Sequence, residues 1–89
     1  MSYKIIYHKK AEKFIRANKV IGLKFMQAFN EISLDPKNIH KYDIVTYHTK
    51  GLNDIFRIRI GKYRAIFRVI KNDLIVFVFD IGSRGDIYK

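Results

Sequence analysis

The spacing of apolar residues changes along this chain, and each change predicts an element. Tyr3–Tyr7 (YKIIY) is rich in β-formers and predicts a short strand. From Ala11 the period is helical: Ala11, Phe14, Ile15 and Asn18 share one face, with Lys10, Glu12, Lys13 and Arg16 elsewhere. Asn18 and Gly22 mark a break. A second helix is predicted from about Ile21 to Leu34, where Phe25, Met26, Phe29 and Ile32 form one buried stripe. Asp35-Pro36 ends it, because the residue before proline avoids the α region.

Lys37–Gly51 carries little pattern. Ile44–Tyr47 reads as a short strand or an extended linker, and Gly51 as a turn. Strict alternation then begins. Ile55, Arg57 and Arg59 oppose Phe56, Ile58 and Ile60; after a Gly61-Lys62 turn, Arg64, Ile66, Arg68 and Ile70 oppose Tyr63, Ala65, Phe67 and Val69. Lys71-Asn72-Asp73 is a second turn. Leu74–Ile81 is apolar on both faces, as a central strand covered on each side would be. Connections this short imply antiparallel neighbours. The predicted class is α+β: an N-terminal strand, a two-helix hairpin and an antiparallel three-stranded meander forming one small sheet, with 1–89 as a single domain.

Composition sharpens this. Lys and Arg outnumber Asp and Glu by 18 to 8, a formal charge of +10 on 89 residues. Such an excess points to a nucleic acid, an acidic protein or an anionic surface as counterpart. Between Asp54 and Asp73 stand Arg57, Arg59, Lys62, Arg64, Arg68 and Lys71, with no acidic residue among them. The absence of cysteine excludes disulfides, thiolate metal sites and a cysteine nucleophile. The N-terminus has no apolar signal-peptide core, and Leu74–Phe79 is far too short to span a bilayer, so a soluble, cytoplasmic protein without membrane contact is expected.

Several chemistries find no support. Glu12 and Glu31, the only glutamates, sit on predicted helices, and no carboxylate pair is evident near the basic strands. His8, His40 and His48 lack metal-ligand spacing, and Ser2, Ser33 and Ser83 lack a credible base. Arginine and tyrosine remain. Guanidinium groups are always charged and bind phosphate oxygens bidentately. Arg57 and Arg59 project from one face of a strand, with Arg64 and Arg68 on the next. Ser83-Arg84-Gly85 follows the last strand, a common place for functional groups, and Tyr88 offers a stacking ring or a hydroxyl. Two readings stay open: a phosphate-binding floor, or a solvated cationic face. In the second, Arg68 pairs with Asp80 or Asp73, Lys62 is solvated and Tyr88 pins the C-terminus.

The chain resembles the RelE/ParE superfamily of bacterial toxins from type II toxin–antitoxin pairs. The likeness runs from the first strand and two helices through the Asp-Pro helix end to KGLNDIFRIRIGKYRAIFRVI and the closing DIGSRGDIY. The RelE-like branch implies the RelE-like microbial RNase fold and ribosome-dependent mRNA cleavage, in which the 2′-hydroxyl attacks the adjacent phosphate. It implies no metal or cofactor. It carries catalytic roles to Arg64, Arg84 and Tyr88, and RNA-binding roles to Arg57 and Arg59, which Lys62 and Arg68 flank. Implied partners are an acidic antitoxin, in a hetero-oligomer, and mRNA on the ribosome with 16S rRNA contacts. Studied RelE-type members carry lysine where Arg57 and Arg59 stand here. Arginine does not lose its proton, so the general base is left to Tyr88 or water. Two alternatives remain: a ParE-like inhibitor of DNA gyrase, and a non-catalytic nucleic-acid-binding module.

Overall fold

The sheet has five strands rather than three. The computed structural model describes residues 3–46 and 54–83. Along the chain lie β1 (Lys4–Tyr7), α1 (Lys9–Ala17), α2 (Lys19–Leu34), a 3-10 segment (Pro36–Lys41), β2 (Asp43–Thr46), β3 (Ile55–Ile60), β4 (Tyr63–Ile70) and β5 (Ile75–Ser83). The strand order is β1-β5-β4-β3-β2. The α+β class, the helix pair and the β3–β5 meander match expectation; β1 and β2 extend the meander at its two edges. β1 runs parallel to β5, with Ile5 opposite Val76, and β2 runs antiparallel to β3, with Ile44 opposite Ile58. Both edge strands have four residues, and β1 pairs with the last strand in the chain. Local periodicity carries no sign of so distant a partner.

Asn18 explains why two helices form instead of one. Its backbone is non-helical (φ −131°, ψ 69°). Its backbone N–H and side-chain amide both donate to the Phe14 carbonyl, at 2.9 and 3.1 Å, closing α1. Its own carbonyl accepts from Gly22 N–H at 2.7 Å, opening α2. Gly22 is therefore no break but a point of close approach. A Cβ there would lie 3.0 Å from the Ile15 Cα and 3.1 Å from its carbonyl oxygen, so only glycine lets α1 and α2 meet this closely.

At the far end of α2, Asp35 is extended (φ −156°, ψ 113°), as its place before Pro36 requires. Its carboxylate accepts from Lys37 N–H at 3.0 Å and caps the 3-10 segment. The returning chain is then stitched to α2. Asn38 donates to the Glu31 carbonyl at 2.7 Å, and the Tyr42 hydroxyl donates to the Glu31 carboxylate. Tyr42 is thereby held next to the start of β2.

The helices cover one face of the sheet. Phe25, Phe29 and Ile32 of α2 are fully buried against Ile58, Phe67, Val76 and Val78. The opposite face of β5 is only half-buried, at Ile75, Phe77 and Phe79, so this strand is not covered equally on each side. A β-bulge interrupts its register: Ile66 pairs with Asp80, Phe67 pairs with Val78, and Phe79 is the extra residue. One inserted residue reverses the alternation beyond it. Asp80 consequently joins the open face, and Ile81 turns into the core at 4% exposure. β5 starts at Ile75 because Leu74, with φ 55°, still belongs to the turn.

Two tyrosines tie stability to alkaline pH. Burial pushes the Tyr7 phenol up to about 12. Tyr42 also rises to about 12, through burial first, then its hydrogen bond to Glu31 and that carboxylate's charge. The unfolded chain ionises near the ordinary value of 10.0. The contribution to stability is therefore complete below pH ~10 and is lost as pH rises through ~12. Alkaline titration followed by phenolate absorbance and circular dichroism should show ionisation and unfolding together. Tyr7→Phe should move the unfolding midpoint to higher pH.

Candidate nucleic-acid interface

The β3–β4 hairpin sets the geometry. Gly61, at φ 60°, is the first central residue of a two-residue turn, the place where type II′ requires glycine. That turn fixes the register: Arg59 opposite Arg64, Arg57 opposite Ile66 and Ile55 opposite Arg68. Directly opposed residues share a face. Ile58, Ala65 and Phe67 occupy the helix side, so all four arginines lie on the open side. The neighbouring strands complete this face. Asp43 stands opposite Arg59 and Val45 opposite Arg57 on β2; Gly82, Asp80 and Phe77 stand opposite Arg64, Ile66 and Arg68 on β5.

The four arginines are spread along this face, with Arg57 lying diagonally between Arg64 and Arg68. Arg57, Arg59 and Arg64 are near neighbours at the Gly61 end. Arg68 lies four residues from Arg64, about 13 Å along an extended strand. Its Nε donates to Asp54 Oδ1 at 2.9 Å. The solvated-face reading pairs Arg68 with Asp80 or Asp73; its partner is Asp54 instead, because the start of β3 lies beside the end of β4. Lys62 is exposed at the turn, its Nζ 5.6 Å from the Tyr63 ring centroid.

Within the cluster the charges are unevenly matched. Asp43 Oδ2 meets Arg59 Nη2 at 2.7 Å, and Asp43 Oδ1 meets Arg57 Nη2 at 3.7 Å. Arg59 is 49% exposed at its side chain and Arg57 only 18%. Arg57 Nε is buried, and no acceptor among the described residues reaches it. Arg64 is half-buried. Opposing Arg59 to Arg64 sets like charges across a strand pair, which is destabilising unless an anion intervenes.

Arg84 and Tyr88 lie outside the described residues. β5 ends at Ser83, opposite Tyr63 and at the same end of the sheet as Arg59 and Arg64. The sequence reading missed Asp43 and Asp54 on this surface and offered Asp80 only as a partner for Arg68. Asp43 reaches it through β2, Asp54 by ion-pairing with Arg68, and Asp80 through the bulge, its Oδ1 accepting from Ile81 N–H at 2.9 Å. Alternation in Asp43–Thr46 could have placed Asp43; no sequence signal marks the bulge. Among the described residues no group of three or more His, Asp or Glu side chains is arranged to hold a metal ion, and no helix is long and apolar enough to cross a membrane.

A basic, helix-backed sheet with this element order has known counterparts. The family model of the ParE toxin of type II toxin–antitoxin systems matches residues 3–88. The chain belongs to this toxin family. A protein of Methanocaldococcus jannaschii that carries the toxin name RelE1 is 29% identical over 90 aligned positions, spanning 100% of this chain and 98% of that one. In the archaeal RelE–RelB complex from Pyrococcus horikoshii, a chain 26% identical superposes with a TM-score of 0.78, covering 96% of this chain and 98% of its own. The intact E. coli RelBE toxin–antitoxin complex contributes a chain of the same fold, 21% identical with a TM-score of 0.70, over 92% and 96%. The resemblance to the RelE/ParE superfamily therefore holds, and these relatives lie on its RelE-like side.

Proposed function

We propose that this toxin is a metal-independent, ribosome-dependent mRNA endonuclease. The observation that carries the reading is the convergence of Arg57, Arg59 and Arg64 on one open sheet face, two of them half-buried and one with an unused N–H. In the reaction, the 2′-oxygen of the substrate attacks the adjacent phosphorus and the bond to the 5′-oxygen breaks. The 2′-proton passes to a base, and the 5′-oxygen takes up a proton. The products are a 2′,3′-cyclic phosphate and a 5′-hydroxyl; addition of water across the 2′-O–P bond then opens the cyclic ester to a 3′ phosphate. Negative charge gathers on the equatorial oxygens, where prearranged cations act most strongly.

In this reading Arg64 and Arg84 hold the scissile phosphate. Arg57 and Arg59 orient the RNA backbone, with Lys62 and Arg68 extending the cationic track. Tyr88 stacks on a base or moves a proton. Because no arginine here can serve as base, positioning by the ribosome carries much of the rate. The partner proposed for the free toxin is an acidic antitoxin that folds as it covers this face, in keeping with the RelB-bound relatives.

Primer extension on a translated mRNA, with and without ribosomes, tests the reading. Codon-positioned cuts that require ribosomes are expected. The match to the ParE toxin model favours one other reading, gyrase inhibition. Intact mRNA together with gyrase-linked DNA breaks would establish it.

A further inference from the structure

We propose that Asp43 is a specificity-determining residue: an internal carboxylate that occupies Arg57 and Arg59 until an RNA phosphodiester displaces it. The inference rests on the RNA-binding reading of this face. Each oxygen of Asp43 is committed to a different guanidinium, at 2.7 Å for Arg59 and 3.7 Å for Arg57. One carboxylate is thus divided between two cations and fully satisfies neither. Arg57 shows the shortfall, being mostly buried with a long ion pair and an Nε that has no acceptor among the described residues. Burying a guanidinium N–H without an acceptor is costly, and a ligand that supplies one recovers that cost.

A single phosphodiester offers two anionic oxygens, as the carboxylate does, but successive nucleotides bring a second and a third pair, so each guanidinium can have a phosphate of its own. RNA can therefore satisfy Arg57 and Arg59 together and release Asp43 to water. A chloride or a lone carboxylate only replaces what Asp43 already supplies. The displacement needs no unfolding. Asp43 is 41% exposed at the first residue of an edge strand, while Tyr42 beside it stays anchored to Glu31. Asp43 accordingly sets a threshold that favours phosphodiester chains over weaker anions.

The test compares wild type, Asp43→Asn and Asp43→Glu. Each is titrated with a labelled 2′-O-methyl oligoribonucleotide, which cannot be cleaved, over a series of salt concentrations. Thermal melts run alongside to exclude a change in folding. Asn keeps the shape of the side chain and removes its charge. Asp43→Asn should bind about three- to tenfold more tightly at low salt, the equivalent of two weak surface ion pairs. Its log-affinity against log-salt slope should stay near that of wild type, since both proteins make the same phosphate contacts once Asp43 is displaced. Asp43→Glu should stay near wild type. Equal or weaker binding by Asp43→Asn overturns the inference alone. Absence of binding by all three proteins overturns the inference, while the nuclease reading stands or falls with primer extension on ribosomes.

Discussion

Arg64→Ala should lower the rate of ribosome-dependent cleavage by about 10²–10³, some 3–4 kcal/mol of barrier, while leaving the fold intact. The size follows from where Arg64 sits. It is half-buried on an interior strand, directly opposite Arg59 and facing a glycine, Gly82, on the other side. A cation held by its surroundings needs little rearrangement as charge develops on the phosphate. Screening is also weaker there than for an exposed lysine. Arg64→Lys keeps the charge but loses the planar fork, so an intermediate loss is expected. Arg68→Ala is the control: with its Nε on Asp54 and about 13 Å from Arg64, it should cost under tenfold in rate. Single-turnover cleavage on programmed ribosomes separates the three variants. The loss for Arg64→Ala should fall in the rate constant rather than in the concentration dependence. Cleavage at wild-type rate by Arg64→Ala would remove the nuclease reading at its centre.

What could be read from the sequence follows the range of the interactions involved. The β3–β4 hairpin was legible because alternation and a Gly-Lys turn are local, and together they assign every residue from Ile55 to Ile70 to a face. The arginine cluster came with it, since Arg59 meets Arg64 through the hairpin's own register. The α2 stripe was legible for the same reason. β1 was legible as a strand but not its parallel pairing with β5, a contact between the two ends of the chain. The bulge at Phe79 left no trace either. The run from Leu74 to Phe79 is so uniformly apolar that a one-residue slip within it changes no pattern, yet it decides that Asp80 faces the arginines and Ile81 the core. Asp43 was hidden behind the ambiguity of the 37–51 segment. The surface thus looked more purely cationic in sequence than it is, because its counter-charges arrive through pairings that local periodicity cannot encode.

Phe29→Ala should remove most of the stability of the free toxin. Phe29 is fully buried and joins three elements. Its ring packs edge-on against Phe67 of β4 at 5.3 Å, stacks near Phe25 of α2 at 6.3 Å, and meets Tyr7 of β1 edge-on at 6.2 Å. Truncation leaves a cavity that these rings cannot collapse into without breaking their other contacts, and such changes cost about 3–5 kcal/mol. A domain of this size holds only about 4–13 kcal/mol in total. The formal charge of +10 acts in the same direction, since self-repulsion weakens the compact state. Urea unfolding at moderate salt should show a midpoint lower by about 1 M or more. Val45→Ala, on the exposed edge strand and the open face, should shift it by less than about 0.5 kcal/mol equivalent. Added salt should raise the midpoints of wild type and Phe29→Ala alike by screening the arginine face, leaving the difference due to the cavity in place. Equal effects from Phe29→Ala and Val45→Ala would mean that the helix-covered side is not where the stability resides.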